Sequence, residues 1–277
     1  MRTKIKLWAK KSFHRSYWKS VFVSLIYSAS NYAVISLMSS FFGIFGVFAA
    51  LAEDGTVDEY TEILMVCLIY FSVVLVIAII AFLLKVYLVN PLEIGCKQYW
   101  RVGLNQTSPA LKEIGDGFRS CYKNRVSVLC ARDIYIGIWY SLSTLVYMII
   151  VMAVMAVVSK LMGNGPMGLP MAIGITMFLL VIFVLCFIPS YIKMLQYMFI
   201  PYILLENPDM PKKQVFALSK QMMKGEIWNT TVLFLSFAGW FVVTACTYEL
   251  AYIFYVGPYM NYTLTAFFEE MRRKVTA

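Results

Sequence analysis

The sequence predicts an all-α fold: a polytopic membrane bundle of six transmembrane helices, arranged as three hairpins, each led by a cytoplasmic amphipathic helix at the interface. Three observations carry that prediction. Of 277 residues, 61% are hydrophobic and the mean hydropathy is +0.72, whereas soluble domains average about 45–50% apolar residues. Apolar runs of about 20 residues, enough to cross a hydrocarbon core about 30 Å thick, recur along the chain. Between them, cationic segments alternate with neutral or acidic ones.

That alternation sets the orientation. Residues 1–20 hold seven basic groups and no acid, residues 85–133 hold eight against four, and residues 206–226 four against three. Arg272, Arg273 and Lys274 close the chain. The connector from Glu53 to Glu62 has five acids and no base, and the connector between the third and fourth spans carries only Lys160. Because Lys and Arg stay on the cytoplasmic side, both termini are expected there, in a multi-pass protein of a bacterial cell membrane. The net charge of +9 is spread over four segments. It forms no single reading surface, which argues against nucleic acid as a partner.

The first element, residues 2–16, is cationic with Ile5, Leu7, Trp8 and Phe13 interspersed; Tyr17 and Trp18 follow as headgroup anchors. The first span runs from Val21 to about Ala52, longer than a straight crossing needs, so tilt or an extension around Gly43 and Gly46 is expected. Ala50-Leu51-Ala52 resembles a signal cleavage site. The apolar run before it, about 30 residues, exceeds the ~7–15 of a cleaved signal, so a retained span is the reading. Ser28, Asn31, Ser36 and Ser40 form one stripe on this span, of the kind that packs helices together in lipid.

The second span covers Ile63 to Leu84, with Asn90-Pro91 after it. Residues 92–107 read as interfacial without clean periodicity. A second amphipathic helix is expected from Ser108-Pro109 to Lys123, weakened by Gly115 and Gly117. The third span, Val126 to Val158, reverses in a Gly/Pro-rich turn, and the fourth, Met171 to Leu205, is interrupted by Pro189 and Pro201.

From Asp209 the plan repeats. Asp209 and Pro211 suit a helix start, and Val215, Leu218 and Met222 fall on one face. Gly225 suits a left-handed end. Trp228–Thr247 is then a fifth span, Tyr248-Glu249-Leu250 a polar turn, and Ala251–Phe268 a sixth span kinked at Pro258. The alternative, one span from Trp228 to Val256, would bury Glu249 and export the basic tail, which is costly. The endings Ser12–Ser16, Ser120–Asn124 and Gln221–Gly225 match one another. They divide one membrane domain, residues 1–277, into hairpin units of about 1–91, 92–208 and 209–277.

No catalytic, cofactor or metal site emerges. The six cysteines lack metal spacing, there is a single histidine, His14, and no nucleophile elbow or paired-carboxylate spacing is present. The expectation is a non-enzymatic protein that binds anionic lipid or a partner protein at the cytoplasmic face through Lys212, Lys213, Lys220 and Lys224. A membrane-protein partner or a second copy of the chain fits the same surface. The alternative is a small transporter or channel with a polar cavity near the kinked fourth helix, built from Asn31, Lys193 and Gln196. Lys193 also has an ordinary role: at about 1.5 Å per residue it lies about 33 Å from Met171, where a lysine snorkels to the headgroups. Glu249, beside a turn, reads as a solvated carboxylate.

Ile188-Pro189-Ser190-Tyr191-Ile192-Lys193, Pro201-Tyr202 through Asn207-Pro208, Ser219–Gly225, Leu235–Trp240, and Pro258-Tyr259 with Thr265–Phe268 together resemble an uncharacterised bacterial integral-membrane family, domain of unknown function 975. Tyr17-Trp18-Lys19 and Asn90-Pro91 also fit. Ser190 stands where that family usually has glycine, and Thr247–Leu250 replaces a glycine-rich turn. The resemblance implies an architecture and brings no activity.

Overall fold

A computed structural model describes the backbone of residues 2–53, 60–105, 109–119, 121–162 and 168–276, and their side chains except at 38–67, 162 and 276. Among the described residues the chain is helical throughout. Its α-helices are α1 (Arg2–Arg15), α2 (Tyr17–Glu53), α3 (Tyr60–Leu84), α4 (Asn90–Asn105), α5 (Tyr122–Met162), α6 (Leu169–Gln196), α7 (Ile200–Glu206), α8 (Lys212–Met223), α9 (Ile227–Leu235), α10 (Ala238–Cys246) and α11 (Gly257–Thr276). π turns at Lys85–Val89 and Tyr252–Val256 lead into α4 and α11, and a 3₁₀ helix spans Leu111–Phe118.

Among the described residues, five helical stretches are long and apolar enough to cross a membrane: Tyr17–Leu37, Leu68–Asn105, Tyr122–Leu161, Leu169–Glu206 and Ile227–Cys246. Their side chains lie open: Phe71 and Ile79 on α3, Leu145 and Met152 on α5, Met177 and Leu185 on α6 are all about half exposed or more. Contiguous apolar surface of this extent is incompatible with water on every side and marks a membrane protein. The expected sixth span is not among the five. Residues 256–271 form a helix whose residues are mostly buried, Asn261, Thr263, Thr265 and Glu269 included.

These helices outrun the bilayer. α2 has 37 residues and α5 has 41, about 55–60 Å at about 1.5 Å per residue, against a hydrocarbon core of about 30 Å. The excess lies at one end, where the chain forms a packed body. On α2 that end is the first half: Val21, Val23 and Ser24 are buried and Tyr27 packs on Trp100 at 5.8 Å. The helix is continuous through Glu53, so its surplus length is taken up there.

Three helices that begin at or beside a proline form the centre of the body. Pro91 starts α4, Pro201 starts α7 and Pro258 starts α11. Proline lacks an N–H and crowds the carbonyl four residues back, so each helix is preceded by a π turn or, at 197–199, a turn. Pro189, by contrast, lies inside the continuous α6. α4 packs against both α7 and α11. Tyr202 stacks on Phe268 at 4.8 Å and 17°, and Phe199 meets Phe267 and Phe268. Around this centre lie the elements that precede each long helix or helix pair: the 3₁₀ helix on α4, α8 on α7, and α1 on α11. The last contact joins the two ends of the chain.

The expected second amphipathic helix is instead the 3₁₀ helix. Glycines explain it: a Cβ on Gly95 would strike the carbonyl of Ile114, and one on Gly117 would strike that of Pro91. Backbone therefore lies against backbone, and the segment clasps α4. α1 and α8 are helices as expected, but their apolar faces are already covered. Ile5, Ala9 and Phe13, and Val215, Met222 and Met223, belong to the protein core. Gly225 takes the left-handed conformation, φ +80°. Asp209 does not cap α8, whose N-cap is Pro211; it accepts a hydrogen bond from Cys121 Sγ at 2.7 Å.

The stretch from Trp228 to Val256 is not one helix. It breaks at Ser236-Phe237 and reverses at Thr247–Glu249, where Tyr248 and Glu249 have positive φ. α10 then packs against the π turn that follows it.

Candidate functional site

α4 carries a polar stripe into the body: Asn90, Glu93, Lys97 and Arg101, spaced three or four residues apart and so on one side of the helix. Asn90, Glu93 and Lys97 are buried. Burying charge is costly unless it is paired, and each of these has partners. Arg132 of α5 donates to both Glu93 oxygens at 3.2 and 2.8 Å and to Asp133 Oδ1 at 2.9 and 2.8 Å. Asn90 Nδ2 donates to the other Asp133 oxygen at 2.7 Å. One guanidinium thus holds two carboxylates and locks α5 to α4.

Lys97 is held differently. Its ammonium lies 5.6, 5.2 and 5.3 Å from the ring centres of Tyr27, Trp100 and Tyr202 and donates to Asn261 Oδ1 at 3.4 Å. Those partners come from α2, α4, α7 and α11, so one cation ties four helices through ring faces and an amide. Arg101 continues the stripe, paired with Glu206 of α7 and with Glu269 of α11 at 2.7 Å; Arg272 reaches the same two acids. A hydroxyl cluster lies beside it. Ser16 and Ser20 approach the Tyr262 hydroxyl at 3.2 and 3.1 Å, and Ser20 approaches Tyr99 at 3.5 Å.

Two basic clefts open on the outside of the body. The first, about 610 Å³, lies between the π turn at Lys85–Val89, the start of α5 and the start of α8. Val86, Val126, Ala131 and Ile134 give it apolar walls, and Lys123 and Lys212 supply its charge. No acid lines it. The Tyr122 hydroxyl, donating to the Tyr87 carbonyl at 2.8 Å, fixes one wall to the other. Tyr87, Leu88 and Ile134 at its edge are about half exposed, so the cleft runs on into the open apolar surface.

The second cleft lies between α1 and α9, as two adjoining hollows of about 380 and 300 Å³. Arg2, Lys6 and Lys10 face Leu233, Val232 and Ser236. Arg2 donates to Asn229 Oδ1 at 3.2 Å; Lys6 donates to the Ser236 carbonyl at 3.4 Å and lies 4.5 Å over Phe237. Burial lowers the Lys6 ammonium below the usual lysine range. Nearby, Lys274 of α11 reaches Glu226 at 2.6 Å, joining the chain's end to the start of α9. Burial raises the Glu226 carboxyl, but hydrogen bonds from Lys274 and Asn229 outweigh it and hold it below the usual range.

The residues singled out from sequence lie in several places. Lys212 lines the first cleft. Lys213 and Lys224 are exposed on α8 and at its end, and Lys220 lies 5.6 Å over the Tyr197 ring. Asn31 accepts from Lys85 at 3.0 Å, whereas Lys193 lies 5.1 Å over Trp139. Gln196 accepts at its backbone from Ser219 at 2.7 Å, and its side-chain oxygen is buried without a partner. Of the small-residue stripe on α2, Ser36 bonds its own helix and Ser40 lies outside the described side chains. Glu249 accepts from Tyr32 at 3.2 Å. The α4 stripe and Lys123 were not among the expected site residues. The spacing 90, 93, 97, 101 is the signal that could have found the stripe.

No curated protein and no solved structure matches the chain. Residues 92–275, which include α4 from its third residue on and both Lys123 and Lys212, match the family described as "Protein of unknown function (DUF975)". The chain belongs to that family.

Proposed function

We propose that this protein is a non-enzymatic, multi-span membrane protein that holds an anionic phospholipid at the cytoplasmic face, in the cleft between α5 and α8. One observation carries the reading: Lys123 and Lys212 line the same cleft, whose other walls are mostly apolar and continuous with the exposed surface. A lipid needs that arrangement, with chains along apolar side chains and a phosphate against cations. Its volume falls within the range of about 300–1,000 Å³ usual for ligand sites. Each lysine near an anionic surface contributes about 1 kcal/mol.

The orientation belongs to the same proposal. α1 and α11 pack together, which supports both ends lying on one side and an even number of crossings. Three hairpin units then follow, with the basic side of the packed body towards the cytoplasm, the body itself reaching into the membrane, and Ala251–Phe268 as the return limb of the third, ending inside that body.

The test is the lipid that co-purifies with the full chain, quantified by mass spectrometry after extraction from a membrane of mixed anionic and zwitterionic lipid. Anionic lipid should be enriched on the wild type, and Lys123→Gln/Lys212→Gln should remove about ten- to thirtyfold of that preference, as two such contacts imply. Lys213→Gln/Lys224→Gln should leave it nearly unchanged. Equal lipid on all three proteins would refute the reading, and a protein co-purifying in place of lipid would redirect it to a partner.

A further inference from the structure

The two basic clefts occupy corresponding places in the chain. Lys212 stands 13 residues before Gly225, where α8 gives way to α9, and Thr3 stands 13 residues before Ser16, where α1 gives way to α2. The opposite walls correspond too. In the first cleft they are the first turns of α5, with Val126, Cys130 and Ala131 two, six and seven residues past Asn124. In the second they are the first turns of α9, with Asn229, Val232 and Leu233 four, seven and eight past Gly225. Each cleft is therefore made where a short leading helix crosses the start of a long helix or helix pair one unit away. α8 does so on α5, and because α1 and α11 bring the chain ends together, α1 does so on α9.

Resting on the reading above, we propose that the groove between α1 and α9 is a second anionic phospholipid site, the repeat-related counterpart of the Lys123/Lys212 cleft. Among the described residues its lining contains three cations, Arg2, Lys6 and Lys10, and no acid. Lys6 already has Ser236 and Phe237 as partners, which fixes the floor. Arg2 and Lys10 are exposed at the rim, where a phosphate would meet them. Leu7, 62% exposed, lines the groove with apolar surface for acyl chains, and Trp228, 73% exposed, directly precedes Asn229 of its wall. Thus the charge selects a phosphate and the flanks select a lipid over a soluble anion. In the remaining unit the leading segment is the 3₁₀ helix clasped to α4, and Ser20, Val23 and Ser24 of α2 are buried. The inner side of those turns packs on α4 and α11 while the 3₁₀ helix stays on α4, so no leading segment forms a groove there and the expected number of sites is two.

The experiment counts lipids. The full chain, delipidated in detergent, is titrated with a phosphatidylglycerol and, separately, with a phosphatidylcholine of the same chains, and the lipids retained are counted by native mass spectrometry. The proposal predicts two phosphatidylglycerols on the wild type. It predicts one on Lys123→Gln/Lys212→Gln, one on Arg2→Gln/Lys10→Gln and none on the fourfold variant, all at unchanged thermal stability. A single lipid lost with Lys123 and Lys212 and indifferent to Arg2 and Lys10 overturns the second site while leaving the first. No selective retention overturns both. Displacement of either lipid by glycerophosphate, which has the head group without chains, would make these soluble-anion sites and overturn the lipid assignment.

Discussion

α6 and α4 are both long helices that begin or end at the body, and they meet opposite surroundings. On α6, Leu169, Met177 and Leu185 are 74%, 62% and 55% exposed; on α4, Ile94, Tyr99 and Trp100 are fully buried. Polar atoms follow the same division. α6 has Ser190 bonded to the Trp139 carbonyl at 2.8 Å, just where it enters the body, while α4 carries Asn90, Glu93, Lys97 and Arg101 through the middle of it. The open shafts need only an apolar surface of the right length, because lipid does not discriminate among Leu, Val and Met. The body needs particular residues at particular places, since every charge it buries must find its partner.

The comparison breaks most sharply at Arg132. Arg132→Met leaves Glu93 and Asp133 without their shared cation and should cost about 3–5 kcal/mol, by thermal or denaturant unfolding in detergent. Leu185→Val on the open shaft should cost no more than about 0.5 kcal/mol. Comparable losses for the two would mean that the body is not organised by its ions. Next in size is the clasp. Gly117→Ala forces a Cβ against the Pro91 carbonyl and should cost about 1–3 kcal/mol. Gly115→Ala meets open space two residues away and should be within about 0.5 kcal/mol of wild type.

A smaller effect sharpens the account of the centre. Tyr202→Phe keeps the stacking on Phe268 and loses only the bond to Thr265, at 3.1 Å, so it should cost about 0.5–1.5 kcal/mol. Tyr202→Leu should cost up to about 1.5 kcal/mol more, because the ring pair goes as well. The smallest effect is the pH response of the Lys274–Glu226 link. A carboxyl held low in the folded state stabilises the protein above its ordinary range and loses that contribution as pH falls through 4.5 and below. Wild type should therefore exceed Glu226→Gln by about 1 kcal/mol or less at neutral pH, and the two should converge in acid.

Much of this was legible in the sequence. Apolar runs and alternating charge announce the long helices, and Gly225 announces the end of α8. Proline marks the start of α4, α7 and α11, although its consequence, a bend leading into a buried helix, depends on what that helix packs against. The 3₁₀ clasp was not legible: Gly115 and Gly117 look alike in sequence, and only the nearness of Pro91 tells one from the other. Nor were the buried charges. Glu93 and Arg132 lie 39 residues apart, and each alone reads as surface. The apolar faces of α1 and α8 predicted helices correctly but not their partner, because a stripe that fits a membrane interface fits a protein core equally well.

Closure of the body by its two ends underlies all of this, for without α1 against α11 there is no groove against α9. In a variant with the six native cysteines replaced by serine, cysteines at positions 8 and 273, where Arg273 now lies 5.9 Å from the Trp8 ring, would be treated in native membranes with a short bifunctional thiol reagent. The account predicts an intramolecular crosslink in most of the protein, lost on unfolding in denaturant. No crosslink in folded protein, with both cysteines reactive singly, would contradict it.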